Sequence, residues 1–204
     1  MSFIEDSKKE LNKYFKINPS VIILIFSNVI TILFAIIQKW DFITVIWVYW
    51  FQNIIIGFFT FIKILNLKNF TTENVYINQK RVKPTKKVKT YVAFFFAAHY
   101  GFFHLGYLIF IALATSNFSN ISFILLSSAI FFGNHLFSFF QNYKNDTKKK
   151  QNIGTAMFFP YTRIIPMHLI MIFGFIFFNN QGSLMFFLIL KTFADLIMHQ
   201  IEHR

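Results

Sequence analysis

Six histidines, His99, His104, His135, His168, His199 and His203, fall within or at the ends of long apolar blocks. Gln52, Asn53, Arg163, Lys191 and Asp195 lie in the same blocks. Neutral imidazoles and carboxylates suit a divalent transition metal, with Zn or Fe the first candidates. Cysteine is absent, which excludes thiolate ligands, disulfides and a cysteine nucleophile. Any metal would therefore be held by His, Asp or Glu. His199 and His203 stand four residues apart, so one helix face can offer both to an ion, and Glu202 beside them could orient a ligand or act as base. Lys191, Asp195, His199 and His203 follow one another at i,i+4 and, with Glu202, form one polar stripe. Tyr161 and His168 share a face at i,i+7. Each histidine taken alone also has a plain use, as a charge at a helix C-terminus or as an interhelical hydrogen-bond partner.

The elements that would position these groups are membrane helices. Hydrophobic residues make up 55% of the 204, with 32 Phe, and mean hydropathy is +0.51. A soluble domain of this size could not hide so much apolar surface. The blocks predict six spans, about 21–38, 42–65, 90–114, 121–142, 156–178 and 183–201, in a single all-α membrane domain covering 1–204. Each is near or above the length needed to cross ~30 Å of hydrocarbon. Residues 1–18 carry Phe3, Ile4, Leu11, Tyr14 and Phe15 loosely on one face, as an interfacial amphipathic segment would.

The net charge of +12 is unevenly placed. Lys8, Lys9, Lys13 and Lys16 precede span one. Lys68, Lys80, Arg81, Lys83, Lys86, Lys87 and Lys89 fill the loop before span three, and Lys144 and Lys148 to Lys150 the loop before span five. The stretches 115–120 and 179–183 carry no charge. The positive-inside rule then puts both termini and both basic loops in the cytoplasm, across the cell's inner membrane. Lysines lying between apolar blocks are explained by the bilayer, so nucleic acid is not an expected partner. The loop 66–89 has room for a short hairpin around "NVYINQKRV". Trp47, Tyr49 and Trp50 are expected in an aromatic belt near the outer surface. Gly101, Gly106 and Gly133 are expected to let helices approach closely.

Depths follow from that topology at ~1.5 Å per residue. His99 lies ~13 Å from the cytoplasmic end, His135 and Arg163 ~10 Å, Asp195 ~9 Å and His199 ~3 Å. His168 and Asn53 come near the midplane, at ~18 Å. His104 is the outlier, in the outer half, and sits ~140° round the helix from His99. Unpaired polar groups in hydrocarbon cost several kcal/mol, so this set should face the bundle interior. Asp195 is the expected partner of Arg163, with Lys191 competing for it. Pro166 removes an internal hydrogen bond from span five, and Pro160 suits an early helical position.

The phrases "VYWFQNIIIG" (48–57), "HYGFFH" (99–104), "NHLFSF" (134–139), "PYTRIIPMH" (160–168) and "KTFADLIMHQIEH" (191–203) together resemble a family of small polytopic bacterial and archaeal membrane proteins of unassigned function. They cover spans two to six in order. The resemblance implies fold and topology rather than an activity, and it implies an acid where this chain carries Gln52. "QIEH" looks like part of a desaturase histidine box, but the middle box is missing. "HQIEH" matches the inverted zinc-protease spacing, whose further downstream ligand the sequence does not offer. The membrane zinc amidases are a nearer physical analogue, since their last helix also presents His-x-x-x-His; their Ser-x-x-x-His element is absent here.

The expectation is thus a histidine-rich polar centre in the inner half of the bundle. The first functional reading is a metal-dependent enzyme acting on a lipid-like substrate. His99, His135, His168, Asp195 and His199 would be its ligands or their supports, and Arg163 would place an anionic headgroup. The alternatives are a proton- or ion-coupled transporter or channel, a haem-binding redox module, and a structural subunit of a membrane complex.

Overall fold

The computed structural model describes residues 19–115, 121–148, 150–162, 164–165, 168, 184–185, 188–189 and 191–196. The amphipathic segment expected over 1–18 lies outside them. So do Arg163, Pro166, His199, Glu202 and His203.

The chain is mostly helical. Helix α1, Pro19–Ile37, opens on proline, whose fixed φ and missing N–H suit a first helical position. It ends in a Schellman turn. Trp40 N–H donates to Ala35 O and Lys39 N–H to Ile36 O, with Lys39 at φ 48° where glycine is the usual residue. Asp41 follows at once as the N-cap of α2, Phe42–Asn66, accepting from Thr44 N–H at 2.8 Å. One tight turn therefore stops one apolar helix and starts the next, with Trp40 sealed beneath it.

Helix α2 leads into three short strands, β1 (Phe70–Thr71), β2 (Tyr76–Ile77) and β3 (Lys80–Arg81). β2 and β3 pair as the expected hairpin. Its two-residue turn puts both Asn78 and Gln79 at positive φ, the type I′ geometry that matches strand twist. Helix α3, Lys86–Ala114, starts at the Thr85 cap, and α4 is Ile121–Lys148. β4, Gln151–Asn152, pairs in parallel with β1. Asn152 then caps the short α5, Ile153–Phe158, while its Nδ2 donates to Glu73 O at 2.9 Å. The two basic loops are thus stitched together.

Span five was expected to begin at Ala156. Instead α5 stops at Phe158, a turn holds Phe159 and Pro160, and helix resumes at Tyr161. Pro160 has no N–H to continue the ladder, and Thr162 N–H turns back to Phe159 O at 3.2 Å. Tyr161, Thr162, Ile164, Ile165 and His168 are helical, as are Leu184, Met185, Leu188, Ile189 and residues 191–196.

Helix α2 is the central element, packed on α3, α4 and α5, while α1 packs on α4. Two thirds of its apolar window is buried within the protein, against about a third or less of α3 and α4. The outer faces of α3 and α1 expose Phe94, Phe102, Leu105, Leu113, Ile22 and Phe26. Among the described residues, α2, α3 and the 121–143 part of α4 are long and apolar enough to cross a membrane, and α1 is a shorter apolar helix.

Packing overturns two local expectations. Trp47 and Tyr49 are inside the bundle, 8% and 5% exposed. Trp47 Nε1 donates to Thr115 Oγ1, and the half-buried Trp50 donates through its Nε1 to His104 O, each at 2.9 Å, so these indoles serve contacts to α3 rather than an outer belt. The glycine of close approach is Gly57. A Cβ there would lie 2.5 Å from the Tyr100 ring, whereas among the described residues nothing lies within 4 Å of one placed at Gly101, Gly106 or Gly133.

Candidate functional site

Three helical elements bring polar side chains to one buried point. Lys191 and Asp195 sit one turn apart on the last helical stretch, and Nζ lies 2.9 Å from Asp195 Oδ2. α1 supplies Asn28, whose Oδ1 accepts from Lys191 Nζ at 3.1 Å. α2 supplies Gln52, whose Oε1 accepts a short hydrogen bond from the same Nζ. The amide orientation of Asn28 is fixed from the other side, because its Nδ2 donates to Leu24 O at 3.0 Å. The Tyr49 ring lies 4.6 Å from Nζ and the Phe131 ring of α4 lies 5.6 Å away, so aromatic faces also border the ammonium.

All of these groups are buried: Lys191 8%, Asp195 7%, Asn28 3%, Gln52 2% exposed. An isolated ammonium would be very costly there; a carboxylate of opposite charge and two amide oxygens offset that cost. Against the cluster lies a cavity of ≈ 10 Å³, lined on its polar side by Asn28, Thr31, Tyr49, Gln52, Lys191 and Thr192. That is about the volume one water needs. Gln52 Nε2, spare because Oε1 faces the lysine, is buried with no hydrogen-bond partner. Asp195 therefore meets Lys191, the partner weighed against Arg163.

The histidines are distributed differently. His99, exposed on α3, places Nδ1 2.8 Å from Tyr161 OH. His168 places Nδ1 3.0 Å from Tyr107 OH. His104 is almost fully buried. Its Nδ1–H donates to Tyr100 O at 2.9 Å and its ring stacks on Tyr100 at 4.3 Å. His135 packs against Phe131 and Phe59 at centroid distances of 4.5 and 6.1 Å. Phe131 therefore touches both His135 and the lysine. Asn53 Nδ2 donates to Tyr49 O at 3.0 Å within α2, and its backbone oxygen accepts from Tyr100 OH. Among the described residues, no three His, Asp or Glu side chains gather as a metal would need.

Of the residues singled out from the sequence, Gln52, Lys191 and Asp195 come together. His99 and Tyr161 form one separate pair, and His168 forms another with Tyr107. Asn28, Thr31, Tyr49 and Thr192 escaped sequence reasoning. Span one did carry a signal, since Ser27, Asn28 and Thr31 interrupt an apolar helix on one side. Ser27 and Thr31 bond their own backbone, at Leu24 O and Ser27 O, leaving the Asn28 amide oxygen for a neighbour.

A bundle of apolar helices around a buried ion pair defines the class, a mostly helical protein in which three of the described helices are long and apolar enough to cross a membrane. Its family follows from residues 10–204, which match the model of a family of unknown function (DUF6498), and the chain belongs to that family. No curated protein and no solved structure matches it.

Proposed function

We propose that the chain is a six-span protein of the cytoplasmic membrane, both termini inside, and that Lys191 and Asp195 are the working centre of a proton-coupled transporter. The observation that carries this is the buried ion pair held jointly by α1, α2 and the last helical stretch. Ionisable side chains at such positions are expensive, and they mark charge relays more often than packing. Across 2.9 Å the pair can neutralise itself. The Lys191 N–H bond breaks, an O–H bond forms on Asp195, and an amine faces a carboxyl with no net change in charge. A neutral amine donates more weakly than an ammonium to the α1 and α2 amide oxygens, so protonation and helix packing are coupled. The adjoining cavity gives a single water room to carry the proton onward.

The pairing of the two basic loops through β1 and β4 supports the proposed orientation, because it keeps both on one side. Metal-dependent catalysis at His135, Asp195 and His199 has less support, since among the described residues, which do not include His199, no three His, Asp or Glu side chains gather.

The test is reconstitution into sealed vesicles with a trapped pH dye and a panel of anionic, cationic and neutral metabolites. At least one solute is expected to move protons with it, and Asp195→Asn is expected to abolish that movement while the protein remains folded. Proton movement unchanged in Asp195→Asn, or absent across the panel in the wild-type protein, would overturn the proposal.

A further inference from the structure

The surroundings of Lys191 Nζ are those of a small cation. Two amide oxygens, Asn28 Oδ1 and Gln52 Oε1, and one carboxylate oxygen, Asp195 Oδ2, approach it from three helical elements. The Tyr49 face closes another side at 4.6 Å. Carbonyl and carboxylate oxygens are the donors hard cations take, and aromatic faces attract any monovalent cation. The single negative charge of Asp195 balances a single positive one. We infer that this is a monovalent-cation site filled by the chain's own ammonium whenever Lys191 is charged, and that the same oxygens hold Na⁺, K⁺ or a small alkylammonium once the lysine is removed.

Two features point to a site rather than a plain ion pair. An ion pair needs only its two charges, yet α1 and α2 each contribute an oxygen, and Asn28 is oriented for it by its own bond to Leu24 O. Lys191 also lines the ≈ 10 Å³ cavity together with Asn28, Tyr49 and Gln52, so truncating its side chain enlarges that space beside the amide oxygens. Lys191→Ala leaves a buried carboxylate beside two amide oxygens with room for an ion. A free cation restores neutrality without disturbing the helices. With the lysine in place the protein has no use for an alkali cation. This goes beyond the transport reading, and because its test uses no gradient, either can fail alone.

The experiment compares melting temperatures of purified wild type, Lys191→Ala and Lys191→Ala/Asp195→Asn in choline, Na⁺, K⁺ and methylammonium buffers of equal ionic strength. Wild type is expected to melt at one temperature throughout. Lys191→Ala is expected to melt lowest in choline, which is too large for the space, and to rise in a saturable manner with Na⁺, K⁺ or methylammonium. The double variant, lacking the negative charge, is expected to show no such rise. Equal melting of Lys191→Ala in all four salts overturns the inference, and so does an equal rise in the double variant. If Lys191→Ala cannot be recovered in choline, recovery is compared among the four extraction buffers. Recovery only with the small cations supports the site, and loss in every buffer overturns it.

Discussion

Lys191 and Asp195 show how burial changes the meaning of a charge. At 8% and 7% exposure neither has water to fall back on, so each depends on the other. Removing one partner strands the other, and Asp195→Leu is expected to cost about 3–5 kcal/mol. Replacing both, as in Lys191→Met/Asp195→Leu, is expected to cost less than Asp195→Leu alone, because apolar side chains need no solvation. The saving is incomplete, since the Asn28 and Gln52 oxygens lose their donor. Unfolding in detergent measures the four corners of this cycle; strictly additive losses would mean that the two residues do not act as a pair. Half of the cluster was readable in advance. Lys191, Asp195 and Gln52 are conspicuous in apolar blocks because each is costly to bury. Asn28 and Tyr49 are not, since a helix can absorb an amide on its own backbone and a tyrosine fits equally well at a surface belt. Only the rotational phase of α1 and α2 decides their roles.

Between α2 and α3 the decisive contact is small. The Tyr100 ring sits over Gly57, held at one end by its hydroxyl's bond to Asn53 O at 3.0 Å and at its face by His104. It cannot swing aside without losing both. Gly57→Ala is therefore expected to cost about 1–3 kcal/mol through overpacking. Gly101→Ala and Gly106→Ala meet no neighbour among the described residues and are expected to be neutral or stabilising by up to about 1 kcal/mol from helix propensity. Melting temperatures of the three variants check the contrast; equal shifts would remove Gly57 from the packing argument. Sequence alone ranks these glycines together, because their difference lies in which face of each helix meets a neighbour. Helix extents were far more legible. The apolar block 42–65 becomes α2 to within a residue, and the hairpin over 76–81 follows from turn residues flanked by short apolar runs. The break before Tyr161 was not anticipated, because hydropathy runs straight through Pro160 while the backbone cannot.

Over the whole molecule, charge and pairing bear on one question, which side each loop occupies. α2, α3 and α4 have 25, 29 and 28 residues. At ~1.5 Å per residue each is long enough to cross ~30 Å of hydrocarbon with its ends outside. The β1–β4 ladder and the Asn152 bond to Glu73 O then hold the 66–89 and 150–155 segments on one side. Lysines crowd the first segment and lead into the second, so on the proposed orientation, by the positive-inside rule, that side is the cytoplasm. The absence of cysteine makes the protein a clean background for single-cysteine labelling. Glu73→Cys and Lys83→Cys are expected to resist a membrane-impermeant maleimide in intact cells and to react in inverted vesicles. Ser119→Cys, in the uncharged connection after α3, is expected to react in intact cells. Reversal of all three would invert the orientation while leaving the bundle intact. Reaction of Glu73→Cys and Ser119→Cys from the same side would mean that α3 does not span, and the six-span arrangement would fall with it.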